Sequence, residues 1–155
     1  MSVELSVQYA QQNAEAGEEP PSESELQRWA DLALCDDVPA QVSIRIVDEA
    51  ESQQLNSSYR GKDRPTNVLS FPMQLPEDLD LPMQGDLVIC APVVEREARE
   101  QHKTSRAHWA HMVIHGMLHL QGYDHIEDDE AQHMERLEIE LLQQLGFANP
   151  YESPS

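Results

Sequence analysis

The stretch SRAHWAHMVIHGMLHLQGYDH, residues 105–125, carries five of the seven histidines in the 155-residue chain. At a helical step of about 100° per residue, His108, His111, His115 and His119 share an arc of about 80°. Trp109, Ala110, Val113, Ile114, Met117, Leu118 and Leu120 cover most of the remaining circumference. Such a helix is buried, with a single imidazole stripe facing something specific. Thr104 or Ser105 can cap its start, and Gly122 can take the left-handed conformation that ends it. The rest of the chain has to supply the layers that cover it.

Those layers are readable on both sides. VELSVQYA near the amino terminus and QVSIRIV (41–47) alternate apolar and polar residues as half-buried strands do, and NVLSFP (67–72) and GDLVIC (85–90) read as two further short strands. Ser22 with Glu25 forms a capping box ahead of a helix that carries Leu26, Trp29, Ala30 and Ala33 at helical spacing. Asp48 with Glu51 offers a second box for a helix ending near Gly61, and Pro92 suits the first turn of another through about 101. A last helix runs from about Asp128 to Leu145 and stops at Gly146. The expected fold is α+β, a small four-stranded mixed sheet packed with about five helices, with a metal site at the end of the buried one. By length it is one domain, residues 1–150, followed by a short tail at 151–155.

His115 and His119 lie one turn apart, so both rings leave the same helix face and can meet one ion. A turn at Gly122 can bring His125 back toward them. The spacing H-x3-H-x2-G-x2-H matches the zinc-protease pattern at every histidine and at the glycine, but Gly116 stands where a protease carries its catalytic glutamate. Three neutral imidazoles leave a divalent ion its full charge and an open position, the arrangement of catalytic zinc, although the same donors suit nickel or copper. The proton acceptor must then come from Asp124, from the acidic group Glu127 to Glu130, or from a metal-bound hydroxide. His102, His108, His111 and His133 read as packed or surface histidines, with His111 close enough to line the approach.

The formal net charge is −19, which opposes indiscriminate adhesion to nucleic acid, yet seven of the ten cations fall in two short segments. Arg60, Lys62 and Arg64 form one; Arg96, Arg99, Lys103 and Arg106 form the other. Each taken alone reads as a solvated loop or helix face, and together they can make a locally positive surface on an acidic body. Cys35 and Cys90 form no CxxC pair and read as reduced thiols. With no charged leader and no long apolar run, a cytoplasmic protein without a membrane segment is expected. A retained positive site beside cations suits a phosphodiester, whose transition state gathers negative charge, better than it suits a peptide.

Together LNSSYRGKDRPTNVLSFP (55–72), GDLVIC (85–90) and HGMLHLQGYDHIEDDE (115–130) resemble the YbeY family of bacterial metal-dependent endoribonucleases. The likeness spans roughly residues 40 to 150. The family's H-x3-H-x5-H is matched by His115, His119 and His125, and its YRxKDxPT by Tyr59, Arg60, Lys62, Asp63, Pro65 and Thr66. Asn67 stands where the family often has Asp. The resemblance implies one Zn2+ per chain, or another divalent transition metal, at the three histidines. It also implies a catalytic role for His115 and Arg60, with Arg60 and Lys62 contacting single-stranded RNA. The expected setting is 16S rRNA 3′-end processing and ribosome quality control at the small ribosomal subunit, among ribosomal proteins or an assembly GTPase. The competing expectations are a non-catalytic ribosome-assembly factor with a structural metal and a metallohydrolase of another substrate.

Overall fold

The computed structural model describes residues 3–10, 20–35, 39–73, 83–123 and 128–151. Alternating side chains make four strands: β1 (Val3–Tyr9), β2 (Ala40–Val47), β3 (Val68–Pro72) and β4 (Met83–Cys90). They pair in the order β1-β2-β4-β3, with β1, β2 and β4 parallel and β3 antiparallel on β4. The register places Ile44 beside Val7 and Leu87, and Phe71 beside Asp86. The helices are α1 (Glu23–Ala33), α2 (Glu49–Arg60), α3 (Ala91–Glu100), α4 (Ser105–Leu120) and α5 (Asp128–Gln144). Among the described residues, the mixed four-stranded sheet and the five helices are those expected from the sequence.

Alternation decides which face is covered. Val42, Ile44, Ile46, Leu87 and Ile89 point into one core with Leu26, Trp29 and Ala30 of α1, Ile114, Met117 and Leu118 of α4, and Met134 and Leu142 of α5. At the end of the sheet a smaller cluster, Val47, Leu69, Val88, Cys90 and Val93, packs with Leu55 and Phe71. Elsewhere on that second face Gln41 bonds to Glu4 at 3.0 Å and Gln84 to Gln41 at 3.2 Å, so polar ladders replace apolar cover.

The caps follow the sequence in two of three cases. Ser22 and Glu25 form the full capping box, and Thr104 accepts from the Ala107 amide at 3.1 Å. Asp48 occupies the N-cap of α2 with no side-chain cap bond, and Glu51, the expected reciprocal partner, forms a two-point ion pair with Arg45 of β2 instead. A charged partner outcompetes the reciprocal cap.

α4 rides close on β4 because each gives up a side chain to the other. A Cβ on Gly85 would meet Leu120 at 2.5 Å, and one on Gly116 would meet Leu87 at 2.7 Å. The glycine at the protease's glutamate position is therefore a packing residue. Its face of α4 is pressed on the sheet, away from any ligand.

Candidate metal and RNA cleft

The imidazole stripe of α4 is real, but its members do different things. His108 is buried, with Nε2 2.9 Å from Glu97 of α3. Glu97 in turn accepts from Asn67 Nδ2 at 3.1 and 3.3 Å, while Asn67 Oδ1 accepts from the Val68 amide at 2.6 Å. An aspartate at 67 would set carboxylate against carboxylate, which gives this chain a physical reason for its asparagine. Burial alone would raise the Glu97 pKa, yet its bonds to His108 and Asn67 bring it below the ordinary carboxylate value.

His111 is buried too, with Nε2 in a short contact to Glu138 Oε2 from α5. The same oxygen lies 3.4 Å from His115 Nδ1, and Glu138 Oε1 accepts from the Tyr151 hydroxyl at 3.0 Å. Burial opposes ionisation of Glu138, but hydrogen bonds from His111 and His115 outweigh it and hold its pKa down at about 2. Burial also lowers the His111 pKa and outweighs the carboxylate beside it, so a neutral imidazole faces an ionised acid. Tyr151, the first residue of the expected tail, is thus tied to the body, and its own pKa is raised by burial and by Glu138.

On its other side His115 presents Nε2 to His119 Nε2 at 3.1 Å. Two nitrogens bound tetrahedrally to one zinc at about 2.0–2.1 Å stand roughly 3.3 Å apart, so this separation fits a shared ion. α4 ends one residue later: Gly122 has φ +99°, and the Tyr123 amide bonds back to the Leu118 carbonyl at 3.0 Å. The expected turn is present. His125, Asp124 and Glu127 lie outside the described residues, whereas Asp128, Asp129 and Glu130 form the exposed first turn of α5.

A second donor set also exists. His111, His115 and Glu138 can each offer one ligand atom, all within 4.8 Å of one another, so the described residues contain a three-donor group that could hold a metal ion. The two sets differ in access. His115 and His119 line a cleft of about 790 Å³ with Tyr59, Arg60, β3 residues from Val68 to Pro72, Gly122 and Tyr123. Neither His111 nor Glu138 lines it, so the expectation that His111 edges the approach is not met. Sequence reasoning missed Glu138. Its signal was present in α5, where the buried stripe Met134, Glu138, Leu141, Leu142 places one carboxylate on an apolar face.

Of the cationic residues, Arg60 lies in the cleft beside the histidines. Lys62 is exposed on the loop after Gly61, whose φ of +70° closes α2. The second segment is largely committed elsewhere: Arg96 pairs with Glu49 at 3.3 Å and Arg106 with Glu25 at 2.8 Å, and burial lowers the pKa of Lys103. Tyr59, 68% exposed, meets Phe71 edge-on at 5.0 Å and gives the cleft an aromatic wall.

Fold and site define a class: a small α+β protein whose central helix delivers histidines suited to a divalent metal into an arginine-bearing cleft. Residues 5–146 match the family described as Endoribonuclease YbeY, and the chain belongs to that family. It is similar to the solution structure of TM1509 from Thermotoga maritima, with 30% identity, 90% of this chain and 88% of that chain covered, and a TM-score of 0.57. Membership carries a hydrolase class, endoribonuclease, with RNA as substrate and a role in ribosomal RNA processing. Among the described residues no helix is long and apolar enough to cross a membrane.

Proposed function

We propose that this protein is a zinc-dependent, single-strand-specific endoribonuclease that matures the 3′ end of 16S rRNA and takes part in ribosome quality control. It would act in the cytoplasm, at the small ribosomal subunit. The observation that carries the reading is one cleft holding His115, His119, Arg60 and Tyr59 together. His115, His119 and His125 would hold one Zn2+ or a similar divalent ion. Bound there, the ion supplies a water of lowered pKa and a Lewis acid for a phosphoryl oxygen.

The chain's own residues supply the rest. Arg60 offers a planar fork to phosphate oxygens and charge to the transition state. Tyr59 and Phe71 offer a π-surface, which suits the unstacked bases of a single strand better than a closed duplex. Lys62 extends the cationic side of the loop. The net charge of −19 confines RNA attraction to such local groups and favours basic partners, such as ribosomal proteins, over the remaining surface.

The test is cleavage of a labelled single-stranded RNA copying the 16S 3′ region, by metal-quantified wild type, Arg60→Ala and His115→Ala. The expected result is cleavage by wild type alone, with folded variants at least about 100-fold slower. Equal cleavage by all three would overturn the reading. A folded, fully metallated wild type with no turnover, free or on ribosomal subunits, would favour a structural metal in an assembly factor.

A further inference from the structure

Glu138 stands 23 positions from His115 on another helix and is 1% exposed, yet it touches the histidine on the side away from the cleft. An imidazole has two nitrogens, and a neutral ring can coordinate a metal only through the one without a proton. Which nitrogen that is depends on what the other one meets. At His115 the choice is between Nδ1, 3.4 Å from a buried carboxylate oxygen, and Nε2, 3.1 Å from His119 Nε2 in the cleft. A carboxylate can only accept, so it holds a proton on Nδ1 and leaves the Nε2 lone pair for the ion.

We infer that Glu138 is a positioning residue for the metal centre, fixing the tautomer and ring orientation of His115 from behind rather than ligating the ion itself. This rests on the reading of His115 and His119 as ligands. The carboxylate is itself fixed on two further sides. His111 meets Oε2 in a short contact and the Tyr151 hydroxyl donates to Oε1 at 3.0 Å. Among the described residues His111 Nδ1 has no hydrogen-bond partner, as expected if the ring's single proton sits on Nε2 facing Glu138. Three donors from α4 and the C-terminal segment thus converge on one acid in α5. The packing of α4 on α5, with Tyr151, thereby sets the direction of a single ring.

This assignment separates the two donor sets available to His115. If Glu138 were a ligand, the ion would lie on the Nδ1 side, behind the ring, and out of reach of a substrate in the cleft. If Glu138 orients, the ion lies on the Nε2 side, where Arg60 also is. The two arrangements have different ligand chemistry, three imidazoles against two imidazoles and a carboxylate, and a spectroscopic metal can tell them apart.

The experiment measures zinc affinity by chelator competition and the visible spectrum of the Co2+-loaded protein, for wild type, Glu138→Gln, Tyr151→Phe and His119→Ala. Folding is checked by circular dichroism. Glu138→Gln is expected to lower zinc affinity about 10- to 100-fold with the Co2+ band positions unchanged. Tyr151→Phe, which removes one donor at the edge of the protein and keeps the carboxylate, is expected to bind a few-fold more weakly. It tests the same link should Glu138→Gln fail to fold. His119→Ala should lose the high-affinity site and its spectrum. Wild-type affinity in folded Glu138→Gln, or in Tyr151→Phe if that is the only folded variant, would overturn the inference. So would Co2+ bands that shift in Glu138→Gln as for a lost ligand. A His119→Ala protein that binds like wild type would instead overturn the ligand reading, whatever Glu138 does.

Discussion

A tyrosine ring that is 68% exposed at the rim of a cleft needs a reason, and its neighbours supply one. Tyr59 immediately precedes Arg60 and both line the histidine cleft, so a base stacked on the ring would bring its phosphate to the guanidinium. Tyr59→Ala should weaken binding of a short single-stranded RNA by about 1–3 kcal/mol, and Tyr59→Phe should restore most of it. Fluorescence anisotropy with metal-loaded protein checks this; equal affinity for all three would remove the ring from the binding surface. Residues at this scale were unequally legible. His115 and His119 followed from spacing, and Arg60 from a motif, because both signals are local. Glu138 and Tyr151 act across 23 and 36 positions on His115, and no local pattern pairs residues at such separations. The only local hint was a carboxylate on the buried face of α5.

Helix α4 was the most legible element because burial, cap and turn all lie within its own sequence, and the structure places each where periodicity put it. The cap of α2 was less so, since Arg45 of a neighbouring strand takes Glu51 away from the helix end. That is tertiary competition, invisible to a local rule. The glycine in α4 carries the most consequence. Gly116 reads as a missing catalytic residue in one dimension and as a contact with Leu87 in three. Gly116→Glu would force a carboxylate into the seam between α4 and β4, where no described partner awaits it. The expected cost is several kcal/mol, from overpacking together with an unpaired buried charge. Urea denaturation should show loss of the folded state or a midpoint far below wild type. A stable Gly116→Glu protein that gained peptidase activity would mean that α4 presents this face to the cleft.

For the molecule as a whole, acid is the condition that sets its charges and its contacts against each other. Titration from neutral pH toward the isoelectric point near 4.5 relieves the repulsion of a −19 body. Below that point the favourable groups begin to fail. Glu51, Glu97 and Glu138 all have folded-state pKa values below the ordinary carboxylate value of 4.5. A depressed carboxylate contributes stability that is complete above its unfolded pKa and is lost as pH falls through the folded one. For Glu138 the window runs from about 4.5 down to about 2, and a shift of that size corresponds to stabilisation on the order of 3 kcal/mol. His111 has the same sign from a different cause: burial lowers its pKa, so protonation below about 6.5 acts against the fold. The gap in unfolding free energy between wild type and Glu138→Gln should therefore be widest near neutral pH and should narrow as pH falls below about 4.5. Urea midpoints collected from pH 7 to pH 3 on metal-free protein measure that gap directly. A gap that stays constant would mean that Glu138 has the same pKa folded and unfolded, and a gap that widens as pH falls would mean that Glu138 is held protonated in the folded protein.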